Sequence, residues 1–397
     1  MNAAAALGRA GVPLDLIGLW GTGSGEEPQQ EVEREIERNP LIRVMSPRHV
    51  RHRRNRWLSL PMIIGSLIRR GGIRVFAKVA ARAARRGGTQ FLSIAEVFAR
   101  TDADVLHCQF ATVAPIALEM RELGVLRSAI VVHFRGYDIS QYVQEHGERV
   151  YDDVFVMADW FIANCEAFRQ RCIELGCDER RIEVISSGTD THRFALAERE
   201  PPKDGSIRLL AVGRLVEKKG FGLAIGAVAK LRERGVDATL DIIGDGELRD
   251  ELERQIADAG LRKQVRLHGA LPHGEIVDWL ARTDALVAPS ITATRGDADA
   301  PVNTIKEAMA TGMPVIGSRH GGIPEIVEPG VNGLLCEEND ADDLASKIEN
   351  LLGLRDRWRD MGLAGRATVE RGHSLDLSNR QYLQVYERVT GKRREPV

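Results

Sequence analysis

Long apolar runs are missing from this 397-residue chain. The longest, Leu58–Ile68, spans about 11 residues and includes Ser, Pro and Gly, well short of the ~20 that a membrane-crossing helix needs. The first 15 residues hold no basic stretch followed by an apolar core, so no secretory leader is expected. Cysteine is scarce: Cys108, Cys165, Cys172, Cys177 and Cys336 are odd in number, scattered, and spaced unlike any zinc-binding pattern. That excludes a disulfide scaffold and predicts reduced thiols in a cytoplasmic setting. One sign of charge is locally absent. Between Leu41 and Ala95 there are 13 Lys and Arg and no Asp or Glu, although the whole chain carries a net charge of only −2. So lopsided a segment in a near-neutral chain marks an interaction surface. Otherwise 43% apolar and 28% charged residues describe an ordinary globular protein, of a length that suggests two to three domains.

Short β-branched runs alternate with stretches of helical period. Strands are predicted at Val105–Phe110, Ser128–Phe134, Trp160–Cys165 and Ile182–Ser187. A second series follows at Arg208–Gly213, Ala238–Gly244, Gln264–Gly269, Ala285–Pro289, Pro314–Ser318 and Gly333–Cys336. Helical patterns lie between them, among them Val113–Leu123, Gly220–Arg234 and Glu247–Ala259. Apolar strands separated by amphipathic helices predict an α/β fold with parallel sheets covered on both faces. The Pro- and charge-rich run Ala195–Asp204 reads as a linker between two doubly wound, Rossmann-like domains, with the ligand site in the cleft between them. The first domain is placed at residues 1–197, with a basic helical insert at about 47–90. The second is placed at 205–372. A helix over Asp376–Val389, within a tail of 373–397, could return to the first domain. Met1–Gly11 reads as an amphipathic helix and Pro13–Leu19 as a strand. A domain of this kind opens with a strand and a loop, so the expectation is that this opening strand is missing and that Met1 is not the natural start.

Three clusters carry the chemistry. Gly213-Arg214-Leu215-Val216-Glu217-Lys218-Lys219-Gly220 runs from a strand into a helix start. Unpaired amides, the Arg214 fork and the Lys219 point charge together suit a diphosphate, although an ordinary strand-to-helix turn has the same look. In Asp299-Ala300-Pro301-Val302-Asn303-Thr304-Ile305-Lys306-Glu307, Asp299 precedes a helix and Glu307 lies about two turns in. The two carboxylates could grip the hydroxyls of different parts of one ligand, a sugar and a ribose, while the amides around Pro301–Thr304 face a phosphate. Gly312–Ser318 followed by His320-Gly321-Gly322-Ile323-Pro324-Glu325 reads as a buried strand ending in a glycine turn. In the first domain, His133-Phe134-Arg135-Gly136-Tyr137-Asp138 follows a strand and would set His133 and Asp138 facing the cleft.

In this order, HFRGYD, ISSGTDTHRF, GRLVEKKG, IIGDGELRDELE, VRLHGALPHGEI and DAPVNTIKEAMATGMPVIGSRHGGIPEIVEPGVNGLL, the chain resembles the retaining family 4 glycosyltransferases of GT-B fold. The likeness is greatest to the branch that builds colanic acid and amylovoran. It implies that Gly213, Arg214 and Lys219 bind the donor diphosphate together with Pro301, Val302, Asn303 and Thr304. It implies that Glu307, the second acid of the E-x7-E signature, holds the ribose, and that Asp299 stands at the first acid. His133 would face the transferred sugar, and His268, Gly269, Ala270 and Leu271 would lie near the base. His133, Arg214, Lys219, Asp299 and Glu307 are therefore the expected catalytic set. No metal or cofactor is implied beyond a UDP- or GDP-sugar as co-substrate, although Asp297 and Asp299 form an Asp-x-Asp.

The acid-free segment then gains a meaning. Arg51, Arg53, Arg54 and Arg56 cluster beside Trp57, and Met62–Arg86 alternates apolar and basic residues at helical period. Basic amphipathic helices lie on anionic membranes, and Trp57 and Phe76 alone are too few aromatics for base stacking, so a membrane is expected rather than nucleic acid. The resulting expectation is a hexose transfer to a lipid-linked saccharide at the inner face of the cytoplasmic membrane, in exopolysaccharide synthesis. A sugar-nucleotide-binding scaffold without catalysis, and an epimerase or phosphorylase on the same fold, stand as alternatives.

Overall fold

The computed structural model describes residues 13–17, 42–45, 60–86, 88–197, 199–202, 205–299 and 302–392. The helix expected over Met1–Gly11, the arginine cluster at Arg51–Arg56 and the site residue Pro301 lie outside them.

The first half contains strands β1 (Leu14–Ile17), β2 (Ile42–Met45), β3 (Val105–Cys108), β4 (Ala129–Phe134), β5 (Trp160–Ala163) and β6 (Ile182–Val184). β1 and β2 pair in parallel, and β3-β4-β5-β6 form a parallel sheet in sequence order. Its helices are α1 (Leu60–Arg85), α2 (Thr89–Ala99), α3 (Ala114–Glu122), α4 (Gln141–His146), α5 (Asp152–Met157) and α6 (Glu166–Glu174). The strand expected at Pro13–Leu19 is β1, and Thr101 Oγ1 ties it to the segment before β3 by donating to Asp15 Oδ2 at 2.7 Å. The basic helix expected from Met62 is α1. It breaks at Gly72, whose φ of 72° lies in the left-handed region. Its inward face, Ile63, Leu67, Val79 and Ala83, joins the core of the first half.

The second half is one parallel sheet in the order β12-β11-β10-β7-β8-β9. Its strands are β7 (Ile207–Val212), β8 (Ala238–Ile243), β9 (Val265–Leu267), β10 (Ala285–Ala288), β11 (Val315–Ser318) and β12 (Leu334–Cys336). The helices are α7 (Phe221–Glu233), α8 (Arg249–Asp258), α9 (His273–Arg282), α10 (Asn303–Ala310), α11 (Ala341–Gly353) and α12 (Trp358–Gly372). Every residue of β10 and β11 is buried, as continuous apolar strands sandwiched between helix layers must be. Separate apolar clusters fill the two faces.

The last helix, α13 (Leu375–Thr390), leaves the second half and lies on the first sheet. Tyr382 and Val385 pack there on Val131, Ile162 and Ile185. Two chain segments therefore cross between the halves, and they are bonded to each other. Thr189 N donates to His373 O at 2.8 Å, and Leu375 N donates to Thr189 O at 2.9 Å. Gly188 is compulsory at this crossing, because a Cβ there would sit 2.5 Å from Leu375 Cα. This is the GT-B arrangement of two Rossmann-like sheets. No helix among the described residues is long and apolar enough to cross a membrane.

Candidate active site

In an open parallel sheet the ligand crevice lies at the carboxyl ends of strands where their order reverses. Here that place falls between β7 and β10. After β7 the chain makes a short turn at Glu217–Lys219 and enters α7 through Gly220. Gly220 has φ 63°, and a Cβ on it would lie 1.9 Å from Pro289 O at the end of β10. A glycine is the residue that lets this turn press against the β10 loop, and the turn delivers two lysines to that loop. Lys219 Nζ donates to Asp299 Oδ2 at 2.7 Å. Lys218 Nζ reaches Asp297 Oδ2 at 2.9 Å and Asp299 Oδ1 at 3.3 Å. Ser290 Oγ donates to Asp299 Oδ2 at 3.2 Å. The Asp299 amide donates to His320 Nε2 at 3.1 Å, which leaves the His320 proton on Nδ1, facing Glu338 at 3.1 Å. Burial pushes the Asp299 carboxyl up, but Lys219 and Lys218 outweigh it and hold the group below the usual carboxylate range. Lys219, expected as a point charge open to a diphosphate, is thus already paired. Arg214 is exposed and has no ion pair among the described residues.

The next piece comes from α10. Val302 is its N-cap residue in extended geometry, Asn303 is exposed at its first turn and Thr304 is half-buried. Glu307, largely buried, meets His273 Nε2 at the start of α9, 3.2 Å from its Oε1. The segment from His268 to Leu271 joins β9 to α9 beside them. His268 Nε2 bonds Asp241 Oδ1 at 2.6 Å, and its ring lies 4.4 Å from that of Trp279. Gly269 bridges to Gly244, while Ala270 remains exposed. Glu307 is thus tied through His273 to the start of the helix that the 268–271 segment leads into. The structure keeps Asp299 in the separate loop with the lysines.

His133 requires a correction. It is completely buried and does not open onto the cleft. Side chains alternate along a strand, and His133 shares the face of Val131, which α13 covers. Its Nε2 bonds Asn164 Oδ1 at 2.7 Å, and its Nδ1 lies 3.3 Å from His107 Nε2. His107 Nδ1 in turn meets the Tyr386 hydroxyl of α13 at 2.7 Å. Burial, assisted by the Arg135 charge, lowers both imidazoles, that of His107 to about 3, so both are neutral. Asp138, also expected at the cleft, is buried and accepts the amides of Ala111, Arg135 and Gly136.

The residue that does stand at this strand end is Arg135. Its guanidinium donates to Gln109 Oε1 at 2.5 Å and to Ser187 Oγ at 3.1 Å, with no carboxylate in ion-pair reach among the described residues. Ser187 is shared: its carbonyl accepts from Lys306, whose Nζ also donates to Ser186 Oγ at 3.3 Å. Lys306 belongs to α10 of the second half, yet it is 1% exposed against the first. Burial lowers its pKa to about 7, against the pull of Glu307. Lys218, Lys306, Arg135, His273 and His320 were not singled out from the sequence. Their one signal was adjacency, since Lys218 and Lys306 neighbour Lys219 and Glu307, and Arg135 sits inside the HFRGYD run.

Both aspartates of the Asp-x-Asp are engaged by Lys218, and no cluster of three His, Cys, Asp or Glu able to hold a metal occurs among the described residues. The five cysteines are buried and unpaired, their thiols raised by burial, to about 12 for Cys108.

Comparison with known proteins gives a consistent result. Residues 193–368 match the family described as glycosyl transferases group 1, and residues 1–193 match glycosyltransferase family 4. The amylovoran biosynthesis glycosyltransferase AmsK of Erwinia amylovora is 34% identical over 288 residues, 72% of this chain and 70% of that protein. The putative colanic acid biosynthesis glycosyltransferase WcaL of Escherichia coli is 32% identical over 287 residues, 72% of this chain and 70% of that protein. Among solved structures, a glycosyltransferase from Rickettsia africae superposes with a TM-score of 0.71 at 20% identity, covering 98% of this chain and 94% of its own. Anabaena Alr3699/HepE, in complex with UDP and glucose, gives 0.65 at 19% identity, covering 94% and 99%.

Proposed function

The chain belongs to the glycosyltransferases, a family 4 half followed by a group 1 half, and on that premise we propose that it is a retaining hexosyltransferase. It moves a hexose from a UDP- or GDP-sugar to a lipid-linked saccharide at the inner face of the cytoplasmic membrane, as a step in exopolysaccharide synthesis. The last element takes its support from the amylovoran and colanic acid relatives.

The observation that carries the reading is the meeting of Lys218, Lys219, Asp297 and Asp299 at the sheet's switch point, with Arg214 exposed two residues after β7. A departing nucleoside diphosphate develops charge on its β-phosphate, and fixed cations aimed there lower the barrier. Among the described residues Arg214 has no carboxylate to give up. Lys219 exchanges Asp299 for phosphate, and Asp299, released, turns an acceptor towards the sugar hydroxyls. Glu307, oriented by His273, accepts the two ribose hydroxyls, with the base over the 268–271 segment. Gly213 and the amides around Pro301–Thr304 approach the phosphates. His133 is itself fully buried and spends its ring nitrogens on Asn164 and His107, so this reading gives it no contact with the sugar. No side chain is asked to attack the sugar: the leaving phosphate takes the acceptor hydroxyl's proton on the face it has just left, which retains the anomeric configuration. The domain limits follow the same division, with residues 1–197 on the acceptor side, 205–372 on the donor side and α13 returning.

Contact with an anionic membrane is supported by α1. Its exposed surface carries Arg69, Arg74, Lys78 and Arg85, together with Met62 at 56% and Ile73 at 74% exposure. Arg82 and Arg86 instead face Glu119, at 3.1 Å each. The test of donor binding is a thermal-shift panel of UDP-, GDP- and ADP-sugars on the wild type and on R214A. Stabilisation by one nucleotide class that R214A abolishes is expected; no stabilisation by any of the three, or an equal response in R214A, would overturn the reading.

A further inference from the structure

Helix α6 begins without a cap of its own. Its N-cap residue, Cys165, makes no side-chain bond to the first turn, and a thiol is a weak acceptor in any case. The orphan amides are nevertheless satisfied. Glu166 N donates to Glu325 Oε2 at 2.8 Å, and Ala167 N donates to Glu325 Oε1 at 2.9 Å. Glu325 belongs to the other half of the molecule, in the short turn Ile323–Glu325 that follows β11. Ile323 is fully buried in the second half's core and Pro324 stiffens the turn, so the carboxylate is fixed to that half. A bidentate carboxylate on two successive amides also meets the positive end of the helix dipole.

A cap supplied from the same domain would merely finish a helix. This one exists only while the two halves hold their present relation. Other contacts cross the same boundary: Ser140 Oγ accepts from Ala298 N at 3.2 Å and donates to Asp297 Oδ1 at 3.4 Å, and Lys306 reaches Ser186 and Ser187. Among these, the Glu325 contact sets a carboxylate on two first-turn amides of a helix, groups that have no intrahelical partner.

We propose that Glu325 is a positioning residue for glycosyl transfer: by lending α6 its missing cap, it holds the acceptor and donor domains closed over the cleft. The contact lies at the surface, so opening exchanges the carboxylate for water at the helix start and closure recovers the cap; the helix end works as a receptor for the opposite domain. The proposal needs the chain to be a two-domain glycosyltransferase but not any particular sugar, base or acceptor.

The experiment measures a distance in the full-length chain without substrate. Spin labels go on V156C and R262C, at two exposed positions in the first and second halves. The native cysteines are buried with raised pKa, which leaves the introduced thiols as the reactive ones. E325A is expected to lower the closed-to-open ratio about fivefold, the factor that corresponds to a typical lost cap. E325Q, which keeps an oxygen for one of the two amides, restores part of the closed population. E166P removes a donor amide at the first helical position, where proline is well tolerated after an extended residue such as Cys165. Compared with E166A, which keeps the amide, it should open the molecule, and adding E166P to E325A should open it no further. With a nucleotide sugar selected by the thermal-shift panel, kcat in E325A falls by the same factor while the melting temperature of the isolated variant stays within a degree or two of the parent. A distance distribution in E325A identical to the parent's, or full additivity of E325A and E166P, overturns the proposal even where the donor assignment stands.

Discussion

A lysine buried between two domains should make the protein's stability rise with pH, as a paired carboxylate does, but in a window several units higher. Lys306 titrates near 10.5 in an unfolded chain and at about 7 in the native one, chiefly because burial penalises its charge. Between those values the unfolded chain binds more protons than the native one, so stability must rise with pH. The penalty is complete below about pH 7 and is relieved as pH climbs towards 10.5. Integrated over pH 6.5 to 8.5, the linkage amounts to about 2 kcal/mol. Lys306→Met keeps the volume and removes the titration, at the loss of the bonds to Ser186 and Ser187. The measurement is urea unfolding of wild type and K306M at pH 6.5, 7.5 and 8.5, with the midpoint of the transition that reports α10 converted through a common m value. Wild type should gain stability across the range relative to K306M, whose curve should be flatter by about that amount. Parallel pH profiles for the two proteins would refute the idea that the amine is held neutral at the interface.

Three further outcomes are expected. Replacing Arg214 or Lys219 by Ala should cost about 1.5–3 kcal/mol of nucleoside diphosphate binding, the range for hydrogen bonds to charged groups; calorimetric titration of the free diphosphate checks it, and unchanged affinity in both variants rejects the assignment. Asp299→Asn should release Lys219, tightening the free nucleoside diphosphate while weakening the sugar donor, whereas Glu307→Gln should weaken both; equal weakening of the two ligands by D299N would contradict this division. Reversing Arg69, Arg74 and Lys78 to Glu should abolish salt-sensitive binding of the chain to anionic vesicles, since each exposed cation contributes about 1 kcal/mol near such a surface; retention of binding in co-sedimentation at low salt would tell against α1 as the contact.

The alternation of strands and helices could be read from the chain because buried parallel strands are continuous apolar runs, as in β10 and β11. The strand ends moved inward by one to three residues, where the chain turns out of the sheet; Ile182–Ser187, for instance, became Ile182–Val184. The run from Gly213 to Gly220 marked a strand-to-helix turn, whereas the press of that turn on Pro289 needed the structure. What the sequence could not convey was contact between distant segments. His133 looked poised for the cleft until α13, some 250 residues on, covered its face with Tyr382 and Tyr386. Lys306 carried no role of its own in the sequence, and its burial depends on the first half closing over it. The pairing of Lys219 with Asp299 joins two loops that meet only because β7 and β10 are adjacent in the sheet.

The bonded crossing of the two inter-domain segments bears on how such a protein can be cut and recombined. Thr189 and the His373–Leu375 stretch hold one another, and α13 beyond them completes the first half's packing. The folding unit on that side is therefore discontinuous in sequence. A fragment ending at the crossing would expose Val131, Ile162 and Ile185 and strand the His107 imidazole without Tyr386. A single nick between the halves would leave them tethered through the other segment. A chimera that exchanged acceptor-side halves between relatives would have to carry over both the first 190 or so residues and the C-terminal helix, a pair separated by the whole donor half, as one inherited module.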